Sequence, residues 1–198
     1  NIINGGTIPN MLFYGPSGVG KTTLARIIAE NAGMRLHKLN GTSASTADIR
    51  AVIDETGTLA GMNGILLYLD EIQYLNKKQQ QSLEFIENGS ITPIASTTEN
   101  PYFYVYSAIL SRCTVFEFKS VTAEEIVPAV HRAFEKLRQE LGEIEIEPGV
   151  EQIIATRCGG DVRKAINGVE MCVLGASEQN GVRLVTAQAA RQLSQMSA

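Results

Sequence analysis

No apolar run in the sequence approaches the roughly 20 residues needed to cross a bilayer as a helix. The opening residues, NIINGG, also lack the basic and apolar stretches of a secretory leader, so a cytoplasmic protein is expected. Only three cysteines occur, Cys113, Cys158 and Cys172; they have no metal-ligand spacing, which argues against a disulfide framework or a zinc ribbon and leaves reduced thiols. The two histidines, His37 and His131, stand apart and suggest no metal site. Charge of one sign is scarce: a net −4 and a pI near 5.3 argue against a surface devoted to nucleic acid, though not against a local basic face. Residues 1–120 carry 9 Lys/Arg and 10 Asp/Glu and residues 121–198 carry 8 and 11, so neither part is a basic tail. Aromatic residues make up 6% of the chain and do not combine with basic ones into a surface for stacking single strands. There is no internal repeat, no low-complexity segment and no initiator Met, and a fragment or a processed chain is expected.

What is present is 198 residues with 44% hydrophobic content, enough for one sizeable core or a core carrying a smaller one. Up to about residue 118, short apolar runs alternate with stretches of helical period. MLFY precedes 22–32, RLHKLN precedes 46–59, GILLYLD precedes 77–87, ITPIAST precedes a helical turn at 106–110, and TVFEF follows. That rhythm predicts βαβ units and a parallel sheet with helices on both faces, whose doubly covered strands are apolar throughout. After Lys119 strand signals stop. Thr122 with Glu125 three residues on forms a capping box, Val121 can staple against Ile126, and Ile126, Val130, Phe134, Leu137 and Leu141 form one stripe. Pro128 is expected to bend this helix near its start. Further helices are expected at 148–157, 161–176 and 186–195. The fold class is thus α/β, with a parallel-sheet core at 1–120 and a small all-α domain at 121–198.

FYGPSGVGKTTLA matches G-x-x-x-x-G-K-[ST] through Gly15, Gly20, Lys21 and Thr22, after an apolar strand and opening a helix. Backbone amides of such a loop and the helix N-terminus cradle phosphate oxygens. Pro16, Ser17, Gly18, Val19 and Thr23 complete the nucleotide-binding stretch. Lys21 would reach the β and γ phosphates, and the Thr22 hydroxyl would hold Mg²⁺. The competing reading is a glycine-rich turn without a ligand.

GILLYLDEIQYL supplies the carboxylates, because a buried strand ends in Asp70 and Glu71. Asp70 would hold the hydrated Mg²⁺ and Glu71 would orient or deprotonate the attacking water; alternatively, both acids merely cap the next helix. In ITPIASTTENPYF a core-like run ends in Thr97, Thr98, Glu99 and Asn100 before Pro101. Inserted between the loop strand and the Asp70 strand, it would bring Thr98, or Asn100, to the γ-phosphate or the water; ordinary turn chemistry is the alternative. Lys77, Lys78 and the glutamines 79–81 face either DNA or plain solvent.

In this order the features resemble the AAA+ ATPases. Residues 15–22 resemble Walker A, 66–71 resemble Walker B, and Thr98 stands where sensor 1 is expected. SRC at 111–113 is similar to the clamp-loader motif whose arginine reaches a neighbouring subunit's nucleotide, making Arg112 an arginine finger. GGDVRKAIN at 159–167 resembles sensor 2, making Arg163 a lid residue that contacts the γ-phosphate. A cation in the first turn of a helix capped by Asp161 opposes the helix dipole unless an anion sits nearby; for both arginines, pairing with a surface acid is the competing reading.

The stretch from Leu69 through NKKQQ and TTENPYF to Cys113 resembles the replication-associated recombination protein A family (RarA/MgsA; Werner-helicase-interacting ATPase in eukaryotes). That resemblance implies a DNA-dependent ATPase using ATP and Mg²⁺ at stalled replication forks. It further implies a bacterial nucleoid-associated setting, binding to forked or single-stranded DNA, homo-oligomerisation in the full-length protein, and partners such as single-strand-binding protein. The box preceding the phosphate loop and the C-terminal oligomerisation domain of the family are absent from this sequence, so this piece is expected to be a monomer. A clamp-loader or branch-migration ATPase subunit and a nucleotide-gated interaction module with little turnover are the alternative readings.

Overall fold

The computed structural model describes residues 8–58, 61–83 and 91–193. The chain divides into two compact units, one of Asn1–Pro16 and Gly20–Phe118, the other of Ser17–Val19 and Lys119–Ala198.

The first unit is built on five parallel strands in the order β2-β3-β4-β1-β5: β1 (Met11–Tyr14), β2 (Arg35–Asn40), β3 (Ile65–Asp70), β4 (Ile91–Thr97) and β5 (Thr114–Glu117). The strand expected to lie between the loop strand and the Asp70 strand, β4, does so. β1, β3 and β4 are largely buried because both faces of the sheet are covered. Met11, Phe13, Leu66, Tyr68 and Ile94 pack against Ala25, Ile28 and Ala29 of α1 (Lys21–Asn31). Leu12, Ile65, Leu67, Leu69 and Ala95 pack on the opposite face with Ile49 and Val52 of α2 (Thr46–Glu55). α2 opens with a reciprocal capping box between Ser45 and Asp48. α3 (Lys77–Ser82) opens with another, between Asn76 and Gln79. Two single-turn helices, α4 (Pro101–Tyr104) and α5 (Ser107–Leu110), lead from β4 to β5. The expected helix ends at 59, 87 and 195 lie outside the described residues.

The second unit contains the expected helices as α6 (Ala123–Leu141), α7 (Val150–Arg157), α8 (Val162–Leu174) and α9 (Ala187–Leu193). α6 has the Thr122–Glu125 capping box read from the sequence, and the helix continues through Pro128 in its second turn. Ile126, Val130 and Phe134 are fully buried, each contributing about 2–3 kcal/mol of apolar transfer; the stripe fades by Leu141, which is exposed.

The expectation of an all-α unit is corrected. Three short strands, β6 (Ile144–Ile146), β7 (Ser177–Gln179) and β8 (Val182–Val185), form a sheet in the order β6-β8-β7. β7 and β8 are a hairpin turned by Asn180 and Gly181, both at positive φ, the geometry of a two-residue Asn-Gly turn. Ile144 and Val185 from this sheet join the core of α6, α7 and α8.

Candidate nucleotide-binding site

β1 stops at Tyr14 and α1 starts at Lys21, so residues 15–20 make the turn between them. Gly15 has φ +141°, and a Cβ there would stand 2.0 Å from the Phe118 carbonyl oxygen, so no side chain fits. Its amide donates to Thr97 O at 3.2 Å, tying the loop to the end of β4. α1 has Gly20 as N-cap, no side-chain cap and no acid in its first turn, so its positive end is not neutralised by its own residues. Lys21 is buried, and its Nζ donates to the carbonyls of Gly15 at 2.8 Å and Pro16 at 2.7 Å. Thr23 is exposed on the same helix.

The middle of the loop, Ser17–Val19, groups with the second unit. There Ser17 Oγ donates to Asp161 Oδ2 at 3.2 Å, and Val162 N–H donates to Gly18 O at 3.1 Å.

Thr22 Oγ1 lies 3.1 Å from the Tyr68 hydroxyl, which lies 2.9 Å from Ser96 Oγ. Ser96 Oγ is 2.5 Å from Asp70 Oδ1. Burial pushes the Tyr68 hydroxyl up to about 12 against the opposing pull of its bonds to Ser96 and Thr22, so it stays a neutral donor.

Glu71 follows β3 in the left-handed region, φ 54°, ψ 51°, a conformation costing an L-residue about 1–2 kcal/mol. Its carboxylate accepts from Thr98 Oγ1 at 3.1 Å and from Gln73 Nε2 at 2.5 Å. The residue expected to sense the γ-phosphate thus touches the one expected to orient water.

Asn100 Oδ1 accepts from Tyr102 N at 3.0 Å and caps α4, which is turn chemistry. Arg112 is exposed after α5, with Nη1 donating to Ala108 O at 2.8 Å. Arg163 stands in the first turn of α8, whose cap Asp161 accepts from the amides of residues 163 and 164 at 2.9 and 3.2 Å; the Arg163 guanidinium lies 4.0 Å from that carboxylate.

Two of the three glutamines considered for DNA are occupied structurally. Gln79 donates to Ala44 O at 2.8 Å, and buried Gln80 accepts from Tyr106 N at 2.8 Å and donates to Leu75 O at 3.0 Å. Sequence reasoning missed Tyr68, Ser96 and Gln73. Strand alternation counted back from Asp70 would have placed Tyr68 on the same face.

Among the described residues no cluster of three or more His, Cys, Asp or Glu is built to hold a metal. A hydroxyl from Thr22 and a carboxylate from Asp70 are hard oxygen donors, few in number. That is the set Mg²⁺ takes when phosphates and water supply the remaining ligands. The residues present therefore fit a phosphate-bound Mg²⁺.

The family model described as "ATPase family associated with various cellular activities (AAA)" matches residues 11–121. Replication-associated recombination protein A of Haemophilus influenzae is 37% identical over 92% of this chain and 42% of its own length. The Bacillus subtilis protein of that name is 38% identical over 86% and 41%. ATPase WRNIP1 of Dictyostelium discoideum is 36% identical over 87% and 20%. The chain thus spans about two fifths of the bacterial relatives, and the resemblance read from TTENPYF is borne out. A Thermotoga maritima structure titled RuvB Holliday junction branch migration motor superposes with a TM-score of 0.73 at 23% identity, covering 96% of this chain and 62% of that one, a likeness of fold. With its strand order, phosphate-loop geometry and family match in agreement, the chain belongs to the AAA family of ATPases.

Proposed function

We propose that this chain is the ATP-binding and ATP-hydrolysing module of a DNA-dependent ATPase that acts at stalled replication forks. The observation that carries the hydrolytic part is the contact between Glu71 and Thr98 at the sheet edge that also bears Lys21, Thr22 and Asp70. The loop amides and Lys21 would bind the triphosphate, and Thr22 and Asp70 would hold Mg²⁺, which when bound withdraws charge from the phosphoryl oxygens. Glu71 would accept the proton of the attacking water, with Thr98 holding its carboxylate in place. Arg112 would serve a neighbouring subunit's nucleotide and Arg163 its own. The replication part rests on the similarity to proteins named for replication-associated recombination.

The test is ATP turnover of the protein with and without forked DNA, for wild type and Glu71→Gln. Turnover stimulated by the fork and reduced about 10²-fold or more in the variant supports the reading. A wild type no faster than the variant favours a nucleotide-gated interaction module instead.

A further inference from the structure

Residues two apart on a strand share a face. Tyr68 and Asp70 of β3 therefore face the same way, and Ser96 of the neighbouring β4 faces with them, toward the first turn of α1 where Thr22 stands. Four side chains meet there, three hydroxyls with one proton each and a carboxylate that, when ionised, has none.

Counting protons orders the contacts. Ser96 Oγ and Asp70 Oδ1 are 2.5 Å apart, and only Ser96 has a proton to place between them. The Tyr68 hydroxyl is 2.9 Å from Ser96 Oγ and 3.4 Å from Asp70 Oδ1, so its proton goes to the nearer oxygen. The Thr22 proton then goes to Tyr68 at 3.1 Å. Donation runs one way, from Thr22 to Tyr68 to Ser96 to Asp70, and Tyr68 and Ser96 each act as both donor and acceptor.

We propose that Tyr68 is a positioning residue for the divalent cation that accompanies the nucleotide, an inference that rests on the ATPase reading above. A hydroxyl ligates a cation through a lone pair, and it presents one best when its proton is committed elsewhere. Tyr68 accepts the Thr22 hydrogen bond, and through Ser96 it holds the Asp70 carboxylate in one orientation. The two metal-binding oxygens are set before the cation arrives. The ring of Tyr68 packs with Phe13, Leu66 and Ile94, where phenylalanine would fill the same space without the cost of burying a hydroxyl. The hydroxyl is therefore the part that packing does not explain.

The test uses Tyr68→Phe and Ser96→Ala in the protein, with Mn²⁺ as a spectroscopic probe. Free Mn²⁺ is followed by electron paramagnetic resonance during titration with ADP present, and ADP affinity is measured separately in EDTA. For Tyr68→Phe, nucleotide-dependent Mn²⁺ affinity should fall about 5- to 10-fold, as expected for losing one orienting hydrogen bond, while ADP affinity in EDTA stays within about twofold. Ser96→Ala should lose less, because the Tyr68 hydroxyl can then donate directly to Asp70. Unchanged Mn²⁺ affinity in Tyr68→Phe overturns the proposal and leaves the ATPase reading standing. So does an equal loss of ADP affinity with and without metal, the signature of a merely structural role. A wild type that binds no nucleotide removes both.

Discussion

Replacing Gly15 with alanine should unfold the phosphate-loop end of the sheet far more readily than a comparable change elsewhere. The new Cβ would lie 2.0 Å from the Phe118 oxygen and 2.9 Å from its carbonyl carbon, both backbone atoms that no rotamer change can remove. Relief requires a displacement on the order of 1 Å to restore ordinary contact. That strains two bonds, Phe118 N to Tyr14 O at 2.7 Å and Gly15 N to Thr97 O at 3.2 Å. Each is worth about 1 kcal/mol. The φ of +141° adds about 1–3 kcal/mol for a residue with a Cβ, giving a total of about 3–5 kcal/mol. Against a stability of about 5–15 kcal/mol this is severe. Gly33 is the control: its φ is +64°, but nothing lies within 4 Å of a Cβ there. Gly33→Ala should cost about 1 kcal/mol or less once the reduced freedom of the unfolded chain is credited. Urea unfolding followed by far-UV circular dichroism reads both, since the chain has no tryptophan to report by fluorescence. Equal midpoints for the two variants would refute the steric argument.

Thr98→Val removes one of the two donors to the Glu71 carboxylate and should lower kcat about 10- to 100-fold with little change in KM; a raised KM at unchanged kcat would place Thr98 in binding instead. Gln80→Leu leaves the Tyr106 amide and the Leu75 carbonyl without their buried partner and should cost about 1–3 kcal/mol in urea unfolding, whereas an unchanged midpoint would show the site repacks. Burial pushes the Cys113 thiol up to about 11 from 9.0, so the native protein should resist iodoacetamide at Cys113 at pH 8 while the urea-unfolded chain reacts. Because the folded value is the higher one, its contribution to stability is complete below pH 9 and is lost as pH rises toward 11; Cys113→Ala should flatten that part of the pH–stability profile.

The candidate site was legible because its signals are local. Gly15, Gly20, Lys21 and Thr22 lie within one turn and a helix start, and Asp70 and Glu71 directly follow an apolar strand. Contacts across strands were not legible in that way. The meeting of Tyr68 with Ser96 depends on the parallel register of β3 and β4, and the two residues are separated by 28 positions. The small sheet was missed for a different reason. Its strands are three or four residues long and β7 is exposed throughout, so no apolar run marks them. Asn180-Gly181 was nonetheless a hairpin signal in plain view. The glutamine run looked like a solvated face because composition does not reveal that Gln80 reaches back to Leu75 and Tyr106.

The position of β1 between β4 and β5 has a consequence for biosynthesis. The strand is made before both of its neighbours, which are separated from it by about 80 and 100 positions of chain. Until they are synthesised, β1 has no hydrogen-bonding partner in the sheet and Gly15 has neither Thr97 nor Phe118 to pack against. Pairing at such sequence separation is slow, and unpaired strand edges invite association with other chains. The loop that would grip nucleotide is therefore completed only once residue 118 has been made, and until then the unpaired edges of β1 are open to association with other chains.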